Sequence, residues 1–182
     1  DLTLVPARLA LEHGSSIATL VESGHLSSAG VLLRAQLEAT IRAAWLLCVA
    51  SDEWVEGYLE KARSNPHKDP GSTPSVDDMI RGIESKASQG LAPKPLAPQL
   101  RALKDGAWHS LNSFVHSGLH PTLLQFEGYS VQAGDAALRN ANSLCVIAAM
   151  LIALLSGDEE VAEGVKNLQP TFFDCCTPAT PA

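Results

Sequence analysis

The segment from Leu26 to Cys48, LSSAGVLLRAQLEATIRAAWLLC, is apolar on almost every side once wound into a helix, with Arg34, Gln36, Glu38 and Arg42 its charged or amide residues. Arg34, Glu38 and Arg42 recur every four residues, so on a helix they stack into one stripe, in line with Ser27 and Trp45. A helix that is apolar nearly all round has to be covered by other helices, which makes it the central rod of a bundle. A narrow charged stripe along such a rod is either its one wet edge or the wall of a site.

Helices able to cover the rod are legible on both sides of it. Pro6 suits a first helical turn, Ile17, Leu20 and Val21 follow at helical spacing, and Gly24 supplies a stop, which predicts a helix over about 6–23. The link to a Ser27 or Ser28 cap is short, so these two helices form an antiparallel hairpin. Ser51 before Asp52 and Glu53 opens a third helix, with Trp54, Val55, Tyr58, Leu59 and Ala62 facing inward, that ends near Asn65. Prolines break the chain over 65–74, and Ser75 with Asp78 then resembles a capping box for a short helix ending near Gly90. With LAPKPLAP after it, the stretch 65–97 reads as an excursion from the bundle, a lid or a plain insertion. Pro98 opens a fifth helix with Leu100, Leu103, Ala107, Leu111 and Phe114 on one face and Asp105, His109, Asn112 and His116 on the other. Gly118 and His120-Pro121 stop it. A loop through Phe126 and Tyr129 leads to a long helix over about 133–156, closed by Gly157, and a last amphipathic turn carries Val161, Val165 and Leu168. No segment alternates strictly. The fold class expected is all-α: a single-domain up-and-down bundle of about five main helices over 1–169, plus the short helix of the excursion, with a flexible tail over 170–182.

Composition narrows the function classes. The chain has 182 residues, 46% apolar and 18% charged, with 20 acidic against 13 basic residues and a formal charge of -7. That suits one folded domain and offers no overall basic field for a nucleic acid backbone. Cys48 and Cys145 lie in apolar helical runs, and the adjacent Cys175 and Cys176 lack the spacing of a zinc site. A reducing cytoplasm is the expected compartment. The twelve apolar residues from Leu144 to Leu155 fall short of a bilayer and read as a core helix, so no membrane partner is expected.

Two constellations could carry chemistry. Arg34, Glu38 and Arg42 are either surface ion pairs or, since Arg presents a planar fork of donors, an anion-binding or buried carboxylate contact. His109, Asn112 and His116, with His120 in the following turn, form the second. The histidines at 109 and 116 sit two turns apart on one helix, too far to share a metal. A site assembled from His13, Glu38 and His116 is conceivable, but the Glu-x-x-His pairs of di-iron bundles are missing, and neither metal nor cofactor is expected.

The blocks LEHGSSIATLVESGHLSSAGVLLRAQLEATIRAAWLLCVASDE and WHSLNSFVHSGLH carry a resemblance. They resemble a family of bacterial all-helical proteins known as a domain of unknown function. The shared pattern is R-x3-E-x3-R-x2-W, matched by Arg34, Glu38, Arg42 and Trp45, followed by W-x7-H-x-G, matched by Trp108, His116 and Gly118. Pro121 stands near the place where that family often has Gln. The likeness implies a bundle in which the Arg-Glu stripe and the His-Gly turn belong to one site, and it implies no activity. A remoter likeness is to HEPN-type helical ribonucleases, which use an Arg and a His a few residues apart. Arg8 and His13 have such spacing, but Leu9 replaces the polar residue that normally follows the Arg.

The function expected is a cytoplasmic bacterial binding or regulatory module with a polar pocket of Arg34, Glu38, Arg42, His109, Asn112 and His116 taking a small anion or a partner protein, and the sequence does not decide whether it is an enzyme. Its rival is a metal-independent toxin or phage-defence ribonuclease of HEPN type. There His116 would be the base for a ribose hydroxyl, and Arg34 and Glu38 would complete the catalytic set. A third reading is a purely structural or oligomerising bundle. The run from Leu144 to Leu155 also predicts a twofold homodimer, because a small bundle struggles to hide so much apolar surface.

Overall fold

The computed structural model describes residues 2–65, 67, 71 and 73–177, the Gln169 side chain excepted. It is all-α among those residues. The main helices are α1 (Leu4–Glu22), α2 (Leu26–Cys48), α3 (Asp52–Ser64), α4 (Val76–Ser88), α5 (Leu96–Val115), α6 (Leu119–Glu127), α7 (Val131–Ser156) and α8 (Glu159–Lys166). A short turn, α9 (Leu168–Thr171), and a single 3-10 turn, Phe173–Cys175, follow.

As its sequence demands, α2 is the rod, packed on α1, α7, α5 and α4. Its buried side toward α1 and α7 presents small residues such as Ala29 and Ala43, which lets backbones approach closely. Gly14 of α1 sets that distance: a Cβ there would fall 2.2 Å from Cys145 Sγ and 2.9 Å from Gln36 Nε2. On the other side of α2, a Cβ on Gly30 would sit 2.8 Å from the Phe114 ring of α5. Since α1 returns beside α2 through a tight link, and Gly134 of α7 lies against both Val21 and Leu26, α2 and α7 run side by side in the same direction. The core between them is formed by Ile17, Leu33, Leu37, Ile41, Leu144 and Leu151, all buried.

The expected excursion is instead part of the core. Met79, Ile80 and Ile83 of α4 are almost completely buried, and α4 packs on both α2 and α5. Ser75 caps it as expected, accepting from Asp78 N, and two ion pairs join it to α5: Arg101 Nε to Glu84 Oε1 and Lys104 Nζ to Asp77 Oδ1, both 2.7 Å. Three large apolar residues on one face anchor a thirteen-residue helix firmly, whatever the prolines on either side suggest. By contrast α3 buries no residue completely. Its Trp54 meets Trp45 of α2 edge-on at 4.7 Å and stacks on Tyr58 at 5.1 Å.

The prolines shift several other expected boundaries. Pro6, Pro98 and Pro121 each stand at the third residue of a helix, where a missing N–H leaves no intrahelical bond unmade. So α1 and α5 begin two residues earlier than Pro6 and Pro98 imply, and the expected loop through Phe126 contains α6. Likewise α2 begins at Leu26 without a serine cap. The stretch after α8 does not dangle: Asn142 Nδ2 donates to Cys175 O at 2.8 Å, Thr177 N donates to Ser143 Oγ at 2.9 Å, and Cys176 is buried against α7. The expected tail beyond Thr177 lies outside the described residues.

Among the described residues α7 alone is long and apolar enough to cross a bilayer by length and composition. The twelve-residue run understated that length. In this fold Ala141, Leu144, Ala148, Leu151 and Ala153 of α7 are buried, but they make up only about a third of its most apolar stretch, and the rest of that stretch stays partly or fully exposed.

Candidate functional site

Arg34 lies at the crossing of α2 and α5. It is two turns into α2 and level with the second half of α5, so its side chain leaves the α2 stripe sideways and lies across the neighbouring helix. Its guanidinium carbon sits 3.4 Å from the centre of the Trp108 ring, its Nε donates to Asn112 Oδ1 at 3.0 Å, and its Nη1 pairs with Glu38 one turn along α2. Trp108 and Asn112 are themselves one turn apart on α5, which gives Arg34 a flat platform and an acceptor from the same helix face. Lys104, a turn before Trp108, places its ammonium 5.7 Å from the same ring. The hydrogen bond from Lys104 to Asp77, with Asp105 adding to it, raises the ammonium above its ordinary pKa.

This arrangement brings together Arg34, Glu38 and Asn112 of the expected pocket and leaves the rest outside. Only 13% of the Arg34 side chain is exposed, against 42% for Glu38. Arg42 is half-buried and pairs with no carboxylate among the described residues. His109 and His116 are exposed, and their side chains make no hydrogen bond or ion pair among the described residues. The set His13, Glu38 and His116 does not assemble; among the described residues no three His, Cys, Asp or Glu side chains cluster as metal ligands. Asn112 is turned toward α2, where its Oδ1 accepts from Arg34 Nε. Trp45 is buried, its ring edge-on to Trp54.

Two features escaped the sequence reading. Gln36 is fully buried between α1, α2 and α7, where its Nε2 donates to Ala141 O at 3.0 Å and to Cys145 Sγ at 3.3 Å. Its position opposite the Arg-Glu stripe was the available signal, since an amide on the packed side of a rod needs partners. Burial raises the Cys145 thiol above its ordinary pKa despite the Gln36 N–H, and burial does the same to Cys48 and Cys176. Burial thus lowers the thiolate fraction of these three side chains at neutral pH.

The second feature is a groove between α2 and α6. At its start, α6 is tethered to α5, with His120 N donating to Ser113 Oγ at 3.2 Å and the His120 ring edge-on to Phe114 at 5.5 Å. At its far end the Tyr129 hydroxyl bonds Ser27 of α2. Held at both ends, α6 borders a shallow groove, open to solvent, whose walls include Ser28, Val31, Phe114, Thr122, Gln125 and Phe126. Of the nine α6 residues only Pro121 is buried. Leu119, Leu123 and Phe126 form a stripe at helical spacing on its outer side, exposed by 71%, 45% and 89%. From Gly106 to Gly134 the sequence has one charged residue, Glu127, in a chain otherwise 18% charged.

The sequence matches a family of unknown function, DUF6988, over residues 7–178. The chain belongs to that family. No curated protein and no solved structure matches it, and the likeness to HEPN-type domains gains no support.

Proposed function

We propose that this chain is a non-catalytic interaction module that binds another protein through the face formed by α6 and its groove. The observation that carries this reading is the uncharged, outward apolar stripe of Leu119, Leu123 and Phe126 on a helix that contributes one buried residue to the core. A nine-residue helix is too short to be stable by itself, and three exposed apolar side chains aligned on one face of it form a contiguous patch of the kind that marks a contact surface. The Arg34 cluster supports the same reading from the other direction. Its Nε bonds Asn112, its flat face lies on Trp108 and its Nη1, buried without a hydrogen-bond partner, pairs with Glu38 by charge, so it serves to join α2 to α5. The stretch 106–134 contains no Lys or Arg to meet an RNA backbone, which weighs against a ribonuclease acting there.

The test is a photo-crosslinking amino acid placed at Leu123 and, as a control, at the exposed Glu56 of α3, in cells producing the full chain. Protein adducts at position 123 and none at 56 are expected. Equal adducts at both positions, or none at 123, would remove the basis for this assignment.

A further inference from the structure

We infer that α3 is a flap: it opens by itself while the rest of the bundle stays folded, and its opening uncovers Trp45. Every other main helix runs alongside at least one neighbour, whereas among the described residues α3 lies along none. No hydrogen bond or ion pair joins it to another helix there; its bonds to side chains stay within the segment, from Trp54 N to Ser51 Oγ and from Ser64 Oγ to Lys61 O. What attaches it is apolar and small. Trp54 stands edge-on to Trp45 at 4.7 Å, Val55 touches the margin of the core, and Tyr58 stacks on Trp54 of its own helix. No residue of α3 is buried, and Gly57 has open space where a side chain would stand. Few buried apolar contacts mark the segments of a fold that open first.

The local sequence explains why α3 is a helix although it packs so little. Ser51 caps it, Asp52 and Glu53 stand in its first turn, and Lys61 and Arg63 stand in its last, so its helicity is supported by its own ends. A thirteen-residue helix released from the bundle is nevertheless too short to persist in water, so opening and unwinding are one event. The turning point is set by the link to α2. Val49 N and Ala50 N both donate to Trp45 O, at 2.8 and 3.1 Å, which ties the first two link residues to α2 and leaves Ser51, extended at ψ 156°, as the hinge. Beneath α3, Trp45 is 7% exposed and lies with Val49 against Gly82 of α4. Because α4 has its own seat on α2 and α5, opening bares the indole and leaves the packing of Ile80 and Ile83 in place.

Hydrogen exchange of the native full chain, read by mass spectrometry of its peptides, tests this in wild type, Leu144→Ala and Trp54→Ala. In wild type the whole of α3, centre and ends alike, is expected to exchange at least about 100-fold faster than α1, α2 and α7, which open only when the bundle unfolds. Leu144 is 1% exposed and packs with Leu33 and Leu37, and Leu37 is itself about two turns of α2 from Trp45. Truncating it weakens the closed and the open form alike. Leu144→Ala is therefore expected to speed exchange of α1, α2 and α7 by about 30-fold or more and to leave α3 within about twofold of wild type. Should that variant fail to fold, Ile17→Val, at a site equally closed to solvent, makes the same comparison with an acceleration of about two- to tenfold. Trp54→Ala removes the contact with Trp45 and is expected to speed the centre of α3 by about tenfold. An α3 as protected as α2, an α3 that accelerates with the core in the Leu144 or Ile17 variant, or a centre of α3 that stays slow while its ends exchange would each overturn the inference.

Discussion

Replacing Arg34 by alanine tests whether the cluster at the α2–α5 crossing is a structural joint or a pocket awaiting a ligand. Three interactions are lost. The Nε hydrogen bond to Asn112, made by a charged donor at 3.0 Å, is worth about 1.5–3 kcal/mol. The stack on Trp108, with only 13% of the side chain exposed, is partly desolvated and worth about 1–2 kcal/mol. The pair with Glu38 adds about 0.3–0.5 kcal/mol, because its carboxylate is 42% exposed and spaced one turn away. Neighbouring terms of this kind overlap, so the net cost is set at about 3 kcal/mol. Arg34→Lys keeps the charge without the planar fork, and about 2 kcal/mol of that loss is expected to remain. Glu38→Ala is expected to cost less than about 0.5 kcal/mol, well below the penalty that a fully buried pair would impose. Urea unfolding followed by helical circular dichroism measures all three. An Arg34→Ala variant within about 0.5 kcal/mol of wild type, or a Glu38→Ala variant costlier than Arg34→Ala, would show that Arg34 does not hold the helices together.

Further substitutions test other parts of the fold. Ile83→Ala should cost about 2–4 kcal/mol, since Ile83 is fully buried in α4; a cost near zero in urea unfolding would return 65–97 to the status of a detachable excursion. Gly14→Ala should cost about 1–3 kcal/mol by overpacking, because the added Cβ would lie 2.2 Å from Cys145 Sγ, and Cys145→Ala in the same chain should recover part of it. Failure of that rescue would place the strain elsewhere. With the Cys48, Cys145 and Cys176 thiols raised by burial, a thiol reagent at neutral pH should modify the exposed Cys175 first and the other three slowly. Raising the pH toward the raised values should increase their thiolate fraction and rate; four equal rates at neutral pH would contradict their burial.

The bundle and its rod were legible because α2 announces itself twice, by its helical apolar spacing and by the every-fourth-residue charges. Glycine stops, serine starts and short links then placed its neighbours. What was illegible has specific causes. In α4 only Met79, Ile80, Ile83 and Ala87 face the core, too few to outweigh the prolines around them, and their depth of burial depends on α2 and α5 together. The third-residue prolines hid the starts of α1 and α5 and the existence of α6, because proline breaks a helix in its interior and not in its first turn. At the candidate site the spacing identified Arg34 with Glu38, and the polar face of α5 supplied Asn112. The sequence could not say that Trp108 would lie under the guanidinium while His109 and His116 turned to solvent. Which of several polar residues on one helix meets a neighbour depends on the rotation of the two helices about their axes, a quantity decided by distant contacts such as Gly30 against Phe114.

The most direct test of the account separates the joint at Arg34 from the face at α6 in one measurement: the yield of adducts from a photo-crosslinker at position 123, compared between wild type, Arg34→Ala and Thr122→Lys at a temperature where all three are folded. The yield is expected to be unchanged in Arg34→Ala, whose loss is one of stability, and to fall to background in Thr122→Lys, whose lysine occupies the groove wall beside Phe126. A yield that survives Thr122→Lys and collapses in folded Arg34→Ala would contradict the account and return function to the Arg34 cluster.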